Sequence, residues 1–342
     1  SLAVRGSYTG LSGNLVVDDL RAELGEQGRF VLPASDGHAI PLKSVQARGR
    51  YLAHEKSLDV RALEADLQGP TVNLSAIIDS DVGSLTGNVK GSLSNVPIDE
   101  VGHYWPKAWG TDAHQWITAN LSDGTLRRVN AGVSFKTTED GSFELVTLDG
   151  DMDLDGVTVD YLAPMPKVRN VAGAITFDRK RLKIEVSGGR GGGLKVPKGH
   201  VIFTGLDAYD QYAEVALTIE GPGRNAIELI EHEPLGFAST IGLVPDKTSG
   251  IASTQLNLRF IVEHALSADR IKVSASSQLK EVAIADIIGG MDIVKGELIV
   301  EVVNEAMTVR GDADLGAVPI SLTWRRNFGD TPVFRSRYQI QG

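Results

Sequence analysis

Apolar and polar residues alternate with a period of two along most of this chain. Leu58, Val60 and Ala62 oppose Asp59 and Arg61, and Val72, Leu74, Ala76 and Ile78 repeat the pattern. Val129, Ala131, Val133 and Phe135 follow, then Val157, Val159 and Tyr161, then Leu182, Ile184 and Val186. Further on come Ala213, Val215, Leu217 and Ile219, then Leu256, Leu258 and Phe260, then Leu298, Val300 and Val302, and last Val318, Ile320, Leu322 and Trp324. Alternation of this kind gives each strand one apolar and one polar face. The simplest product is an antiparallel sheet wetted on one side. The pattern predicts β-repeat segments over 1–96, 124–222 and 249–342, with helical insertions over 97–123 and 223–248.

A loose internal repeat points the same way. Gly173 to Phe177, Leu182 to Val186, Gly193-Leu194-Lys195-Val196-Pro197 and Val201 to Phe203 form one meander. Lys295 to Val300, Met307 to Gly311 and Gly316-Ala317-Val318-Pro319-Ile320 form another. Such a unit cannot bury its apolar face alone, so neighbouring units must continue the sheet. Roughly twenty strands at about 4.8 Å each would extend on the order of 90 Å, and a sheet that long must twist or curl. Fold class is therefore mainly β: an elongated, curled antiparallel sheet, an open groove of taco-like repeats, with two short helical insertions.

The alternation alone leaves open what covers the apolar face. A second sheet would make filled sandwich cores, whereas a curled sheet would leave a trough for a ligand to complete. Aromatics make up only 6% of the chain, so the interior positions are mostly aliphatic. An aliphatic lining without fixed polar groups suits sliding hydrocarbon better than one specific ligand. The candidate lining residues are Val157, Val159, Leu182, Ile184, Val186, Val215, Leu217, Ile219, Leu256, Leu258, Phe260, Leu298, Val300 and Val302.

The first insertion is the most strongly punctuated stretch of the chain. Pro97 suits a first helical position, and Pro106 ends whatever helix Asp99 to Tyr104 begins. Asp112 with Gln115 three residues on reads as a reciprocal helix cap. Ala113, Trp116, Ile117, Asn120 and Leu121 recur at helical spacing, and Gly124 is the expected stop. Tyr104, Trp105, Trp109 and Trp116 are read as a lid over one rim of the sheet, although tryptophan equally suits a bilayer interface or a partner surface. The second helix, Asn225 to His232, is apolar at Ile227 and Ile230 and is expected to do the same work.

Composition narrows the chemistry. The 342 residues include no cysteine, which removes disulfides, zinc–thiolate sites and thiol nucleophiles. A formal charge of −10 argues against nucleic-acid binding and against simple adsorption to anionic headgroups. Asp151-Met152-Asp153-Leu154-Asp155-Gly156 matches the start of a calcium loop, but position twelve is Leu162, where a glutamate is needed. The alternation of Met152 and Leu154 with the aspartates reads instead as a strand face. Gly188-Gly189-Arg190-Gly191-Gly192-Gly193 lacks the lysine and helix of a phosphate loop and reads as a hairpin connection. The seven histidines (His38, His54, His103, His114, His200, His232 and His264) form no i,i+4 pair. Nothing in the residues singles out a catalytic group, a metal site or a cofactor, so the expected function is non-catalytic.

The pattern Pro97, Asp99, Tyr104-Trp105-Pro106, Trp116, Asn120-Leu121 and Gly124 between β-rich flanks resembles the central domain of YhdP-type proteins. These belong to the AsmA-like superfamily of bacterial envelope bridge-like lipid-transfer proteins, related to TamB. Asn225 to Ile230, Glu233-Pro234-Leu235, Ile241-Gly242-Leu243-Val244-Pro245 and Gly250 extend the resemblance over about residues 50 to 325. The resemblance implies a periplasmic segment of an inner-membrane-anchored protein in a Gram-negative bacterium. It also implies an apolar groove that shields phospholipid acyl chains in passage between inner and outer membranes. Partners would be those acyl chains, flanking domains of the same longer chain and an envelope protein. The alternative is a structural or assembly β-sandwich module that binds a protein partner. No stretch reaches the length of a membrane-spanning helix. Leu2 to Val4 and Phe334 to Ile340 both fall inside β patterns, so the chain is expected to be an excised piece of something longer.

Overall fold

The alternating segments become strands in the computed structural model, which describes residues 1–9, 12–31, 37–81, 83–107, 110–137, 142–263, 270–303, 306–328 and 336–342. Trp109, His264 and Phe334 lie outside the described residues. The fold is mainly β. Nineteen strands are assigned to the large antiparallel sheet, and β3 and β4 (Arg29–Val31 and Ala39–Pro41) pair only with each other. The chain divides into two compact units, residues 1–157 with 174–182, and residues 158–173 with 183–342.

The first unit contains β1 (Leu2–Thr9), β2 (Asn14–Glu23), β5 (Ser44–Leu52), β6 (Ser57–Asp66), β7 (Thr71–Asp81) and β8 (Ser84–Pro97). After β8 come α1 (Val101–Tyr104), α2 (Thr111–Asn120), β9 (Leu121–Ser122), β10 (Thr125–Thr137) and β11 (Phe143–Val159). Each strand pairs with the next in the order β1, β2, β5, β6, β7, β8, β10, β11. Register shifts interrupt strict alternation at several places, among them β1, β2, β5, β6 and β10. A bulge between Val60 and Leu63 puts Val60 opposite Ala76 but Leu63, not Ala62, opposite Leu74. Ala62 instead faces Arg48. One extra residue in a strand moves everything beyond it to the other face, and the bulge keeps the apolar row continuous by moving Leu63 into it.

Three strands, β11, β12 (Val168–Asp178) and β13 (Arg181–Gly191), contribute residues to both units. The second unit continues with β14 (Leu194–Thr204), β15 (Tyr212–Pro222), α3 (Gly223–Glu231), α4 (Phe237–Thr240) and β16 (Thr248–Ile261). It ends with β17 (Lys272–Ile288), β18 (Met291–Val303), β19 (Ala306–Leu315), β20 (Val318–Asn327) and β21 (Ser336–Gln341). From β14 to β21 every strand pairs with its sequence neighbour. Between β13 and β14, Gly192 and Gly193 both have positive φ, as a two-residue hairpin turn requires, whereas Gly188, Gly189, Arg190 and Gly191 of the same run belong to β13 itself.

Buried apolar residues occur in both units: Leu67, Ala76, Val96, Ile98 and Val101 in the first, and two clusters in the second. Bulges fall at the same level on adjacent strands: Gly250 in β16 (φ 110°), Glu281 in β17 (φ 52°) and Lys295 in β18 (φ 53°). Bulges bend and twist a sheet locally. Ala252 and Val282, shortly after them in sequence, are buried. Val282 joins Leu298, Met307 and Val309 in one buried cluster, and Ile293, Ala313, Ile320 and Leu322 form a second.

Candidate functional site

Residues directly opposite each other in a sheet share a face, so the strand registers turn the alternation into rows. In the first unit, one row runs Leu148, Val133, Val89, Ala76, Val60, Gly49, Val17 and Gly6. Beside it run Gly150, Ala131, Gly91, Leu74, Leu63, Ala47, Leu20 and Val4, and then Met152, Val129, Leu93, Val72, Ala65, Val45, Ala22 and Leu2. A fourth row on the same face runs Leu145, Phe135, Gly87, Ile78, Leu58, Tyr51, Leu15 and Tyr8. No charged residue interrupts any of the four. Eight strands at about 4.8 Å spacing make each row roughly 34 Å long.

This face is not closed over. Leu58 is 40% exposed, Tyr51 41% and Leu15 43%, and all three stand in the fourth row. Phe135 lies flat over Gly87, where an added Cβ would come within 2.3 Å of its ring, and stacks on Phe143 at 4.7 Å. The opposite face carries ion pairs instead, including Arg50 with Asp59 at 3.0 Å and Lys136 with Glu144 at 3.1 Å. Arg128 pairs with Asp153 at 2.9 Å, and Asp151 accepts from Asn130 Nδ2 at 3.0 Å. The Asp151–Asp155 stretch is thus strand, paired in β11 with β10, and not a cation loop.

The second unit repeats the design with shorter, less uniform rows. Val201, Val215, Leu258 and Val273 stand in one; Gly199, Leu217, Leu256, Ala275, Val302 and Met307 in the next, which ends at Arg326. Then comes Ile219, Thr254, Ser277, Val300, Val309, Trp324 and Tyr338. Ala252, Leu279, Leu298, Gly311, Leu322 and Ile340 complete the face. A hydroxyl pair crosses it, Thr254 Oγ1 donating to Ser277 Oγ at 2.9 Å. On the other face Glu214 pairs with Arg259 and Glu301 with Arg310.

Most candidate lining residues therefore fall on one face of the second unit. Val215, Leu217, Ile219, Leu256, Leu258 and Phe260 are half-buried, as are Val300 and Val302, while Leu298 is buried. In β13, Leu182, Ile184 and Val186 are half-buried and Glu185 is exposed. Val157 is buried and Val159 half-buried near the end of β11. The longest uninterrupted rows, those of the first unit, are absent from the sequence-derived set. Their signal was the alternation at Val72 to Ile78 and Val129 to Phe135; the glycines at 49, 87, 91 and 150 carry no side chain to mark the face.

The two helical insertions are built alike. Each leaves from a proline that caps the first helical turn, Pro97 or Pro222, and returns to a strand directly paired with the one it left. Pro97 stands opposite Thr125, and Pro222 opposite Ile251. In the first insertion the anchors are Ile98, Val101 and Pro106, all buried, while Tyr104 and Trp105 are half-buried. Trp105 meets the ring of His114 edge-on at 5.8 Å. Trp116 is 49% exposed.

Several local readings change. Pro97 is the cap residue and not the first helical one. Gly110, not Asp112, caps α2, and no side chain completes the cap. The helix stops at Asn120 because Leu121 turns into β9; Gly124, at φ 68°, serves the turn into β10. A Cβ there would meet the Asp155 carbonyl at 2.5 Å.

The second insertion reaches the apolar face of its own unit. Ile241, just after α4, packs on the Val282–Leu298–Met307–Val309 cluster together with Phe328. Phe237 approaches Phe328 at 6.2 Å between ring centroids, and Ala238 is fully buried. The Arg326 guanidinium donates to the Thr240 carbonyl at 3.2 Å. Glu231 closes α3 onto α4 by accepting the Ser239 N–H at 2.8 Å, a bond that holds its carboxyl below the usual carboxylate range.

Neither a curated protein nor a solved structure matches the chain. A family model described as YhdP protein matches residues 7–322, nearly all of it and including both units and both insertions. By that match the chain belongs to the YhdP protein family.

Proposed function

We propose that the apolar faces of the two units are a path for phospholipid acyl chains, within a periplasmic segment of an envelope protein that carries lipid between membranes. The observation that carries this reading is the set of four uninterrupted apolar rows in the first unit, part of which stays open to solvent. Contiguous exposed apolar surface of that kind marks an interaction site. Membership of the YhdP family supports the same reading.

The mechanism needs binding without chemistry. Each methylene removed from water contributes about 0.8 kcal/mol, so a tail is held firmly anywhere along a row. The rows of the first unit carry no charged group, so no position holds the tail by an ionic contact. A bilayer's hydrocarbon core is about 30 Å thick, which makes one tail about half that length. A row of roughly 34 Å therefore leaves a tail room to move. The headgroup stays in water beside the edge of the face. Among the described residues no helix is long and apolar enough to cross a membrane.

Native mass spectrometry with lipid extraction tests the proposal on gently purified protein. Wild type should carry phospholipid, and Val133→Asp or Leu217→Asp should lose most of it while keeping the β-sheet circular dichroism signal. Lipid-free wild-type protein would overturn the reading in favour of an assembly module that binds a protein partner.

A further inference from the structure

Strands β15 and β16 are direct antiparallel neighbours, paired from Tyr212 with Ile261 to Pro222 with Ile251. A hairpin of two to five residues would join them. Instead the chain runs through α3 and α4 and returns, and the end of this excursion lies on the apolar face of its own unit. Long excursions inside a compact unit are commonly functional. Ile241 and Phe328 pack on the cluster of Val282, Leu298, Met307 and Val309, so two side chains of the protein occupy ground on the apolar face that an acyl tail would take.

The excursion is held in a way that lets it leave. Its polar ties to the sheet include one exposed ion pair, Lys247 with Asp286 at 2.7 Å, which contributes little to stability, and the Arg326 bond to the Thr240 carbonyl. Gly236 and Gly242 flank α4 with φ of 56° and 79°, and at both an added Cβ would meet nothing within 4 Å. Glycine is needed there for the backbone conformation and not for space, which makes the two positions suitable hinges.

Resting on the acyl-path reading, we propose that α4 with Ile241 is a displaceable lid, which closes the second unit's path when empty and swings out when a lipid tail replaces it. Arg326 is the latch. It stands at the end of the row of Leu217, Leu256 and Val302, and it reaches the Thr240 carbonyl.

The chain has no cysteine, so a Thr240→Cys, Arg326→Cys pair can be bridged selectively with a short, reducible thiol crosslinker. A photo-crosslinking benzophenone residue is placed at Val300, directly opposite Val309 of that cluster, or at Leu217, outside it. Each protein is incubated with phosphatidylethanolamine–phosphatidylglycerol vesicles, irradiated, and assayed for attached lipid. The expected result is capture at both positions before bridging, and at least a tenfold loss at Val300 alone after bridging, reversed by reductant. Ile241→Ser without the bridge should raise capture at Val300 several-fold. Equal capture at Val300 with and without the bridge, while Leu217 still captures lipid, would overturn the lid and leave the acyl path standing. Absence of capture at Leu217 as well would overturn the acyl path, and the lid with it.

Discussion

The two units use one sheet pattern to opposite ends. In the first unit, apolar rows cross eight strands without a polar break, and much of that face is only half-buried. In the second, the rows meet a hydroxyl pair at Thr254 and Ser277, end at Arg326 and dive into two buried clusters. Both units carry bulges, and what differs is what lies beside them. In the second, Gly250, Glu281 and Lys295 lie close to the buried Ala252 and Val282, and Ile241 and Phe328 pack on the Val282 cluster. The first unit relies on small residues and rings laid over glycines. An alternating strand thus states only that one face is apolar; what packs against that face decides whether it becomes core or path.

The largest expected effect separates core from path directly. Leu298 is 4% exposed, so Leu298→Ala should cost about 3 kcal/mol, as large-to-small changes in a filled core do. Leu58, 40% exposed, should cost under about 1 kcal/mol when changed to Ala. Urea titrations of the two variants measure both numbers, and similar costs would erase the distinction between the units. Next in size is Gly87→Val. The new side chain would strike the Phe135 ring, which Phe143 stacks against and keeps from moving aside. About 2 kcal/mol of destabilisation is expected from such overpacking, with recovery in the Gly87→Val, Phe135→Ala double variant. Failure of the second change to rescue the first would show that the ring does not lie over the glycine.

The strands were legible in the sequence because side-chain alternation is a local property. Val215, Leu217, Leu256 and Leu258 could be placed on one face from spacing alone, and the pairings of β15 with β16 bear that placement out. Ala62 could not, since a bulge is set by how two strands meet and leaves little mark on either. The helical insertions announced themselves through Pro97 and Pro106. Their caps did not, because Gly110 is a cap by backbone conformation, whereas Asp112 only has the right side chain for one. The exposure of Trp116 is a similar case: helical spacing defines a face of α2 but not what, if anything, lies against it. Phe328, which packs on the same cluster as Ile241, lies nearly ninety residues from it, and no local pattern connects them.

The hydroxyl pair gives a finer test of the same contrast. Thr254→Val leaves the half-buried Ser277 hydroxyl without its neighbour and should cost about 1 kcal/mol. Replacing both, Thr254→Val with Ser277→Ala, should cost less than the single change, since no polar group is then left stranded. A double-mutant cycle in urea gives the coupling. If the double variant is the worse of the two, the hydroxyls serve the fold in some other way than through each other.

The smallest effect concerns pH and the α3–α4 junction. Glu231 has its pKa lowered by the hydrogen bond from the Ser239 N–H, so its charged form is favoured in the folded state. A group with a depressed folded pKa adds stability above its unfolded value and loses it as pH falls through the folded one. Arg224, bonded to Glu228 and near Asp246, and Lys247, paired with Asp286, face the same junction; Asp286 is also held low by Lys247. Both carboxylates therefore weaken the excursion's hold in the same direction on acidification. Amide exchange at Ser239 should quicken, relative to residues in β15, as pH drops below the usual carboxylate range, after correction for intrinsic rates. Glu231→Gln should show the faster exchange at neutral pH and lose most of the pH dependence. A wild-type profile that stays flat would mean that packing by Ala238 and Ile241 alone sets how often the excursion opens.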